Sequence, residues 1–347
     1  MPPTVFISPP SAPKPRAAIH PVFLPGLGCP GRCLYCNQNQ QTGSREHSLA
    51  KIAGQLWREL HTAEHTNSSP FELAFFGGTF TRLPVSWQQR FLEISAEYRN
   101  KGLITAVRCS TRPDSCQLPQ LERLAGLGLS TVEIGAQTFS SHVLRAVRRG
   151  YDPEAIASAA ANVRKAGLGL GIQLLPGLPG HTHSAWLRDV RQTLDLRPDF
   201  VRIYPCLVLD QTPLANMYRQ GLFQPWTLQQ TITALARASL RLSAAKIPVI
   251  RMGLHPEPSL IKSLIAGPWH PALGSLVRSR TLLSRIKMAC LQLPPGPKQV
   301  ICPRSLQGDL WGHKRIHRLP LHKVGITPDR VVYTNARRLE ITSLEQR

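Results

Sequence analysis

"HPVFLPGLGCPGRCLYCNQNQ", residues 20–40, joins an apolar run to three closely spaced cysteines. Val22–Leu27 has the length and composition of a buried strand and stops at Gly28. Cys29, Cys33 and Cys36 follow within eight residues. The same arrangement, a short apolar strand closed by a turn residue, recurs along the chain. "LAFF" (Leu73–Phe76) stops at Gly77-Gly78, "AVRCS" (Ala106–Ser110) precedes Arg112, and "TVEIG" (Thr131–Gly135) precedes Gln137. "LGIQLL" (Leu170–Leu175) runs into Pro176, "FVRIY" (Phe200–Tyr204) into Pro205, and "VIRMGL" (Val249–Leu254) closes the series.

Between these strands, Ala50–His61, Ser86–Lys101, Leu118–Leu127, Pro153–Ala166, Ser184–Leu194 and Thr227–Lys246 carry apolar residues at helical spacing. Alternating strands and helices predict an α/β fold with a parallel sheet covered by helices, a full or partial (β/α) barrel. Chemistry in such barrels gathers at the C-terminal ends of the strands. That rule collects Cys29, Gly77, Gly78, Arg112, Gln137, Pro176 and Pro205 on one rim. The predicted division is an extended or disordered segment over 1–19, the barrel over 20–255, and a small α+β extension over 256–347. In the extension a helix, Pro271–Leu293, precedes the breaker "LPPGPK", and "QVICP" and "RVVYT" read as strands.

The 347 residues carry 42 Lys and Arg against 20 Asp and Glu, a formal charge of +22. The excess is spread out, with 14 basic against 4 acidic residues from Pro271 to Arg347. Such a surplus suits a polyanionic partner, RNA or tRNA, and equally suits plain solubility. Nothing approaches the apolar run of about 18 residues that a membrane helix needs. The first twenty residues are broken by prolines and make a poor signal peptide, so the expected location is the cytoplasm. Eight cysteines are too sparse for a disulfide scaffold, and clustered thiols in a reducing compartment bind metal or do chemistry.

Three thiolates can ligate three irons of a cubane cluster and leave the fourth open. Zinc is the competing reading, but a structural zinc ion takes four ligands and no fourth Cys or His lies close by in sequence. Cys302, His313 and His317 offer a separate zinc reading, with His-x3-His spacing but one cysteine.

The spacing Cys-x3-Cys-x2-Cys resembles that of radical S-adenosylmethionine (radical SAM) enzymes. The chain is more narrowly similar to the branch typified by the catalytic subunit of elongator, which modifies wobble uridine in tRNA. "FFGGTFT" (Phe75–Thr81), "STRPD" (Ser110–Asp114), "EIGAQTF" (Glu133–Phe139), "QLLPGLPG" (Gln173–Gly180) and "RIYPCLVLDQTPL" (Arg202–Leu214) match in order, over about residues 20–255.

The resemblance implies a partial (β/α)6-type TIM barrel of the radical SAM kind. It implies a 4Fe-4S cluster on Cys29, Cys33 and Cys36, with SAM chelated by the open iron. An electron from the reduced cluster then cleaves SAM to a 5′-deoxyadenosyl radical. Tyr35 would lie beside the adenine; Gly77, Gly78 and Thr79 would meet the SAM amino group; Gln137 and Arg149 would meet ribose and carboxylate. Arg112, Asp114, Gln173, Arg202 and Tyr204 are candidates for the rim or the substrate. Flavodoxin or ferredoxin is the implied kind of electron donor. Only about 90 residues follow the barrel, so no acetyltransferase domain is expected. The readings are therefore a radical SAM enzyme acting on tRNA or other RNA, one acting on a small molecule such as a tetrapyrrole, and a non-enzymatic iron–sulfur protein that binds nucleic acid.

Overall fold

The alternation of strand and helix is realised as a parallel sheet. The computed structural model describes residues 2–8, 18–44, 46–66 and 68–344. In chain order the first strands are β1 (Thr4–Ile7), β2 (Ala18–Phe23), β3 (Phe71–Phe76), β4 (Ile104–Thr111) and β5 (Thr131–Gln137). They are followed by β6 (Gly169–Leu174), β7 (Phe200–Ile203), β8 (Val208–Leu209), β9 (Val249–Met252) and β10 (Leu264–Ala266). Strands β2, β3, β4, β5, β6, β7 and β9 lie side by side in that order, and every pair is parallel. Residues of the two outermost strands, Pro21 and Ile250, line the same cavity as residues of the central ones, so the sheet curls into a partial barrel. This is the fold that the alternating pattern predicts.

Helices cross between successive strands because each carries an apolar stripe and a start signal. After the short α1 (Gln38–Thr42), α2 (Leu49–His65) buries Ile52, Ala53, Leu56 and Leu60, and its first turn is capped by the Ser48 hydroxyl. The series continues with α3 (Val85–Asn100), α4 (Leu118–Gly126), α5 (Ser141–Ala146), α6 (Pro153–Lys165), α7 (His183–Leu196), α8 (Pro213–Arg219) and α9 (Leu228–Ala244). Proline at the start of α6 and α8 costs nothing there, because the first-turn N–H it lacks has no helical partner. The antiparallel pair β8–β10, which the sequence reading missed, lies between and after these elements.

The chain divides into two compact units, 13–228 with 247–271, and 1–12 with 229–246 and 272–347. The first holds the barrel sheet. The second holds a four-stranded sheet in the order β1-β13-β11-β12, with β11 (Lys298–Pro303), β12 (Val331–Thr334) and β13 (Leu339–Ser343). β1 pairs antiparallel with β13, Thr4 opposite Thr342, so the start of the chain completes a sheet built mostly from its end. Val300, Ile341 and Ile7 pack there on Leu282 and Ile286 of α10 (Leu273–Cys290). Residues 9–17 of the expected N-terminal segment lie outside the described residues. Among the described residues, no helix is long and apolar enough to cross a membrane.

Candidate functional site

The loop after β2 is folded against the exit of β3. Leu24 N–H donates to Phe76 O at 2.7 Å, and Thr79 N–H donates to Leu27 O at 2.8 Å. Gly28 has φ +73°, and a Cβ there would stand 2.4 Å from Thr79 O. A Cβ at Gly78 would stand 2.2 Å from Leu27 O and 2.6 Å from Leu24 O. The glycines thus let two loops touch through their backbones. The loop is held further along: Leu34 N–H donates to Val147 O at 3.3 Å, and Leu34 O accepts from Leu214 N–H at 3.0 Å.

Cys29, Cys33 and Cys36 all line one cavity of about 1800 Å³, which runs through the barrel from Thr131, Gly169 and Pro248 at the strand starts to the cysteine loop at the strand ends. Burial, with Cys33 and Cys29 adding to it, pushes the Cys36 thiol up to about 12.

Groups of known polarity surround the sulfurs. Thr79, fully buried, places its Oγ1 3.3 Å from Cys29 Sγ. Arg149 donates from Nη1 to Cys33 Sγ at 3.3 Å, from Nη2 to Gly135 O at 2.7 Å, and from Nε to Tyr151 Oη at 2.9 Å. Gln137 has φ +67°, a strained backbone for a residue other than glycine, and among the described residues its buried Oε1 has no partner. The buried Tyr35 hydroxyl also lacks one among them, and burial raises its pKa well above the ordinary phenol value. Tyr35, Gly77, Gly78, Thr79, Gln137 and Arg149 all line the cavity. The orphaned Tyr35 and Gln137 atoms are what a polar ligand in that cavity could satisfy.

The rim candidates divide. Gln173, Arg202, Tyr204 and Arg112 line the cavity, whereas Asp114 does not. Arg112 grips Asp114 through Nε at 2.9 Å and Nη2 at 2.8 Å, and Nη2 also donates to Arg149 O. Arg112 and Asp114 therefore form a brace behind Arg149.

A feature the sequence reading missed lies below them. Arg108 binds Glu72 through Nε at 2.6 Å and Glu133 through Nη1 at 2.9 Å. Arg202 Nη1 meets Glu133 Oε2 at 2.9 Å, and its guanidinium lies 4.5 Å from the Phe76 ring centre. Glu133 is 1% exposed. The signal was present, since each of these charged residues interrupts an otherwise apolar strand on the lumen phase.

The other cysteines behave as small apolar side chains, as expected. Cys109, Cys116, Cys206 and Cys302 are buried, and burial first of all pushes the thiols of Cys116, Cys206 and Cys302 up to about 12. Cys302, His313 and His317 do not form a ligand group among the described residues; His317 is buried, with Nδ1 3.2 Å from Leu310 O.

Two family models match in tandem: "Radical SAM superfamily" over residues 23–193 and "Radical_SAM C-terminal domain" over 198–282. The chain belongs to the radical SAM superfamily. Within that superfamily it is similar to the elongator branch. The tRNA uridine(34) acetyltransferase of Methanocaldococcus infernus is 30% identical over 187 residues, 48% of this chain and 35% of that protein. Elongator complex protein 3 of Danio rerio is 26% identical over 265 residues, 65% of this chain and 47% of that one. The chain spans about a third to a half of the length of these relatives. Among solved structures, archaeal Elp3 of Methanocaldococcus infernus superposes with a TM-score of 0.58 at 20% identity, covering 78% of this chain and 64% of that one. The coproporphyrinogen III oxidase of Escherichia coli gives 0.51 at 21% identity, covering 67% and 54%. Both share the fold. The chain is thus a radical SAM enzyme, a class that in general uses a 4Fe-4S cluster and SAM.

Proposed function

We propose that Cys29, Cys33 and Cys36 hold a 4Fe-4S cluster at the barrel mouth, that SAM sits beside it, and that the substrate is an RNA of the tRNA class. The observation that carries this reading is the set of three thiols opening into one large cavity together with the orphaned Tyr35 and Gln137 atoms. When bound, the pair supplies a reductive cleavage of SAM that yields a 5′-deoxyadenosyl radical.

The chain's residues position and shield. Thr79 and Arg149 each stand beside one of the sulfurs, where a hydroxyl and a guanidinium can stabilise thiolate charge. With SAM bound, backbone carbonyls at Gly77 and Gly78 would serve its amino group, Gln137 a ribose hydroxyl, and Tyr35 the adenine, since all four residues line the cavity. Arg149 is suited to a carboxylate, which a guanidinium fork binds better than an ammonium does. The cavity, about 1800 Å³ along the whole barrel interior, exceeds the ~300–1,000 Å³ of ordinary ligand pockets. RNA is favoured by the +22 charge and by the similarity to a tRNA uridine(34) acetyltransferase.

Anaerobic reconstitution with iron and sulfide, then dithionite and SAM with and without bulk tRNA, tests the reading. We expect 5′-deoxyadenosine, with its rate raised about tenfold or more by tRNA, an effect of about 1.4 kcal/mol. Binding to tRNA should weaken steeply as salt rises. No 5′-deoxyadenosine in any mixture overturns the cofactor assignment. Turnover indifferent to tRNA, without salt-dependent binding, overturns the RNA assignment alone.

A further inference from the structure

We infer that the last turn of α2 carries a second metal site, unrelated to the cysteines, which takes a divalent late transition ion through His61, His65 and Glu64. One donor atom from each of the three lies within 4.8 Å of the other two. The two imidazoles are four residues apart, one helical turn, and project from the same face. None of the three residues lines the barrel cavity.

The donors are already oriented. His65 Nδ1 lies 2.7 Å from His61 O. Donating a proton to that carbonyl fixes the tautomer and leaves Nε2 as a free lone pair, the arrangement in which histidines bind metals. The Trp57 ring stacks on His61 at 5.1 Å and 9°, restricting the imidazole from the other side. His61 and His65 rings stand 4.1 Å apart. Glu64 is half-buried, and its Oε2 is held by Lys101 Nζ at 3.0 Å. The C-terminal end of a helix is its negative pole, which favours a cation.

An ion bonded to each donor at about 2.1 Å needs the donors roughly 3–3.4 Å apart. The groups must therefore close by less than about 2 Å, a small rotation for exposed rings. Two imidazoles and one carboxylate select Zn²⁺, Ni²⁺ or Cu²⁺ over Mg²⁺ or Ca²⁺, which prefer oxygen alone. Three protein donors leave further coordination positions to water or an added ligand.

The test is equilibrium dialysis of the full chain, its iron–sulfur cluster in place, against Ni²⁺ alone. One equivalent should bind beyond the cluster. His61→Ala and His65→Ala should each weaken that binding about tenfold or more, with unchanged far-ultraviolet circular dichroism, because both rings are solvent-facing. Lys101→Ala should tighten it, since the lysine competes for the Glu64 carboxylate. Mg²⁺ in excess should not displace the ion. No Ni²⁺ uptake at millimolar concentration overturns the site, as does uptake unchanged in both histidine variants. Weaker binding in Lys101→Ala removes Glu64 from the ligand set and overturns the three-donor assignment.

Discussion

Replacing Cys33 by alanine should abolish 5′-deoxyadenosine formation, by about a thousandfold or more, equal to about 4 kcal/mol of barrier. Under the proposed assignment this residue is one of three anchors, and two thiolates cannot hold a cubane in place. Cys33 is 6% exposed, receives Arg149, and lies in a loop fixed by Leu34 on both its backbone groups. The alanine variant should keep its secondary structure and lose most of its iron. Cys109→Ala is the matched control. That thiol, on β4, is fully buried and does not line the cavity, so its loss should cost modest stability and spare turnover. Iron content and 5′-deoxyadenosine, measured together on both variants, separate the outcomes. Retained turnover in Cys33→Ala contradicts the assignment.

The second large effect concerns stability. Glu133→Gln should destabilise the folded chain by about 3–5 kcal/mol, because it leaves buried guanidinium charge without its partner. Arg108 keeps Glu72, but Arg202 has no other carboxylate within bonding distance among the described residues. The double variant Glu133→Gln, Arg202→Leu should recover part of that loss, since both halves of the pair are then gone. Urea denaturation of the three proteins measures it. A loss below about 1 kcal/mol in the single variant means water or a neighbour compensates Arg202.

Much of this arrangement is legible in the sequence, for reasons that differ by element. The barrel strands were found because parallel strands buried on both faces read as short apolar runs, and Gly77 and Pro205 follow their ends closely. Helices such as α6 were found because apolar residues recur at 3.6-residue spacing after a proline. β1 was not found: four residues in a proline-rich start carry no period, and their partner Thr342 is 338 residues away. The short β8–β10 pair escaped for the same lack of local signal. Lumen-facing side chains depend on strand phase, which a one-residue slip reverses. So Arg202 was singled out, whereas Glu72, Arg108 and Glu133, which complete its charge ladder, were not. The resemblance puts Gly78 beside the SAM amino group; the contacts give a further reason for glycine there, the approach of Leu24 O and Leu27 O.

The opening of Cys29, Cys33 and Cys36 into one cavity, beside the orphaned Tyr35 and Gln137 atoms, supports their ligation of a cubane with one iron left open. Electron paramagnetic resonance of the reduced, reconstituted protein, recorded before and after adding SAM, addresses it directly. The expected result is a 4Fe-4S signal that changes on SAM addition and is lost in Cys33→Ala. A signal indifferent to SAM, or zinc in place of iron on the three thiolates, contradicts it.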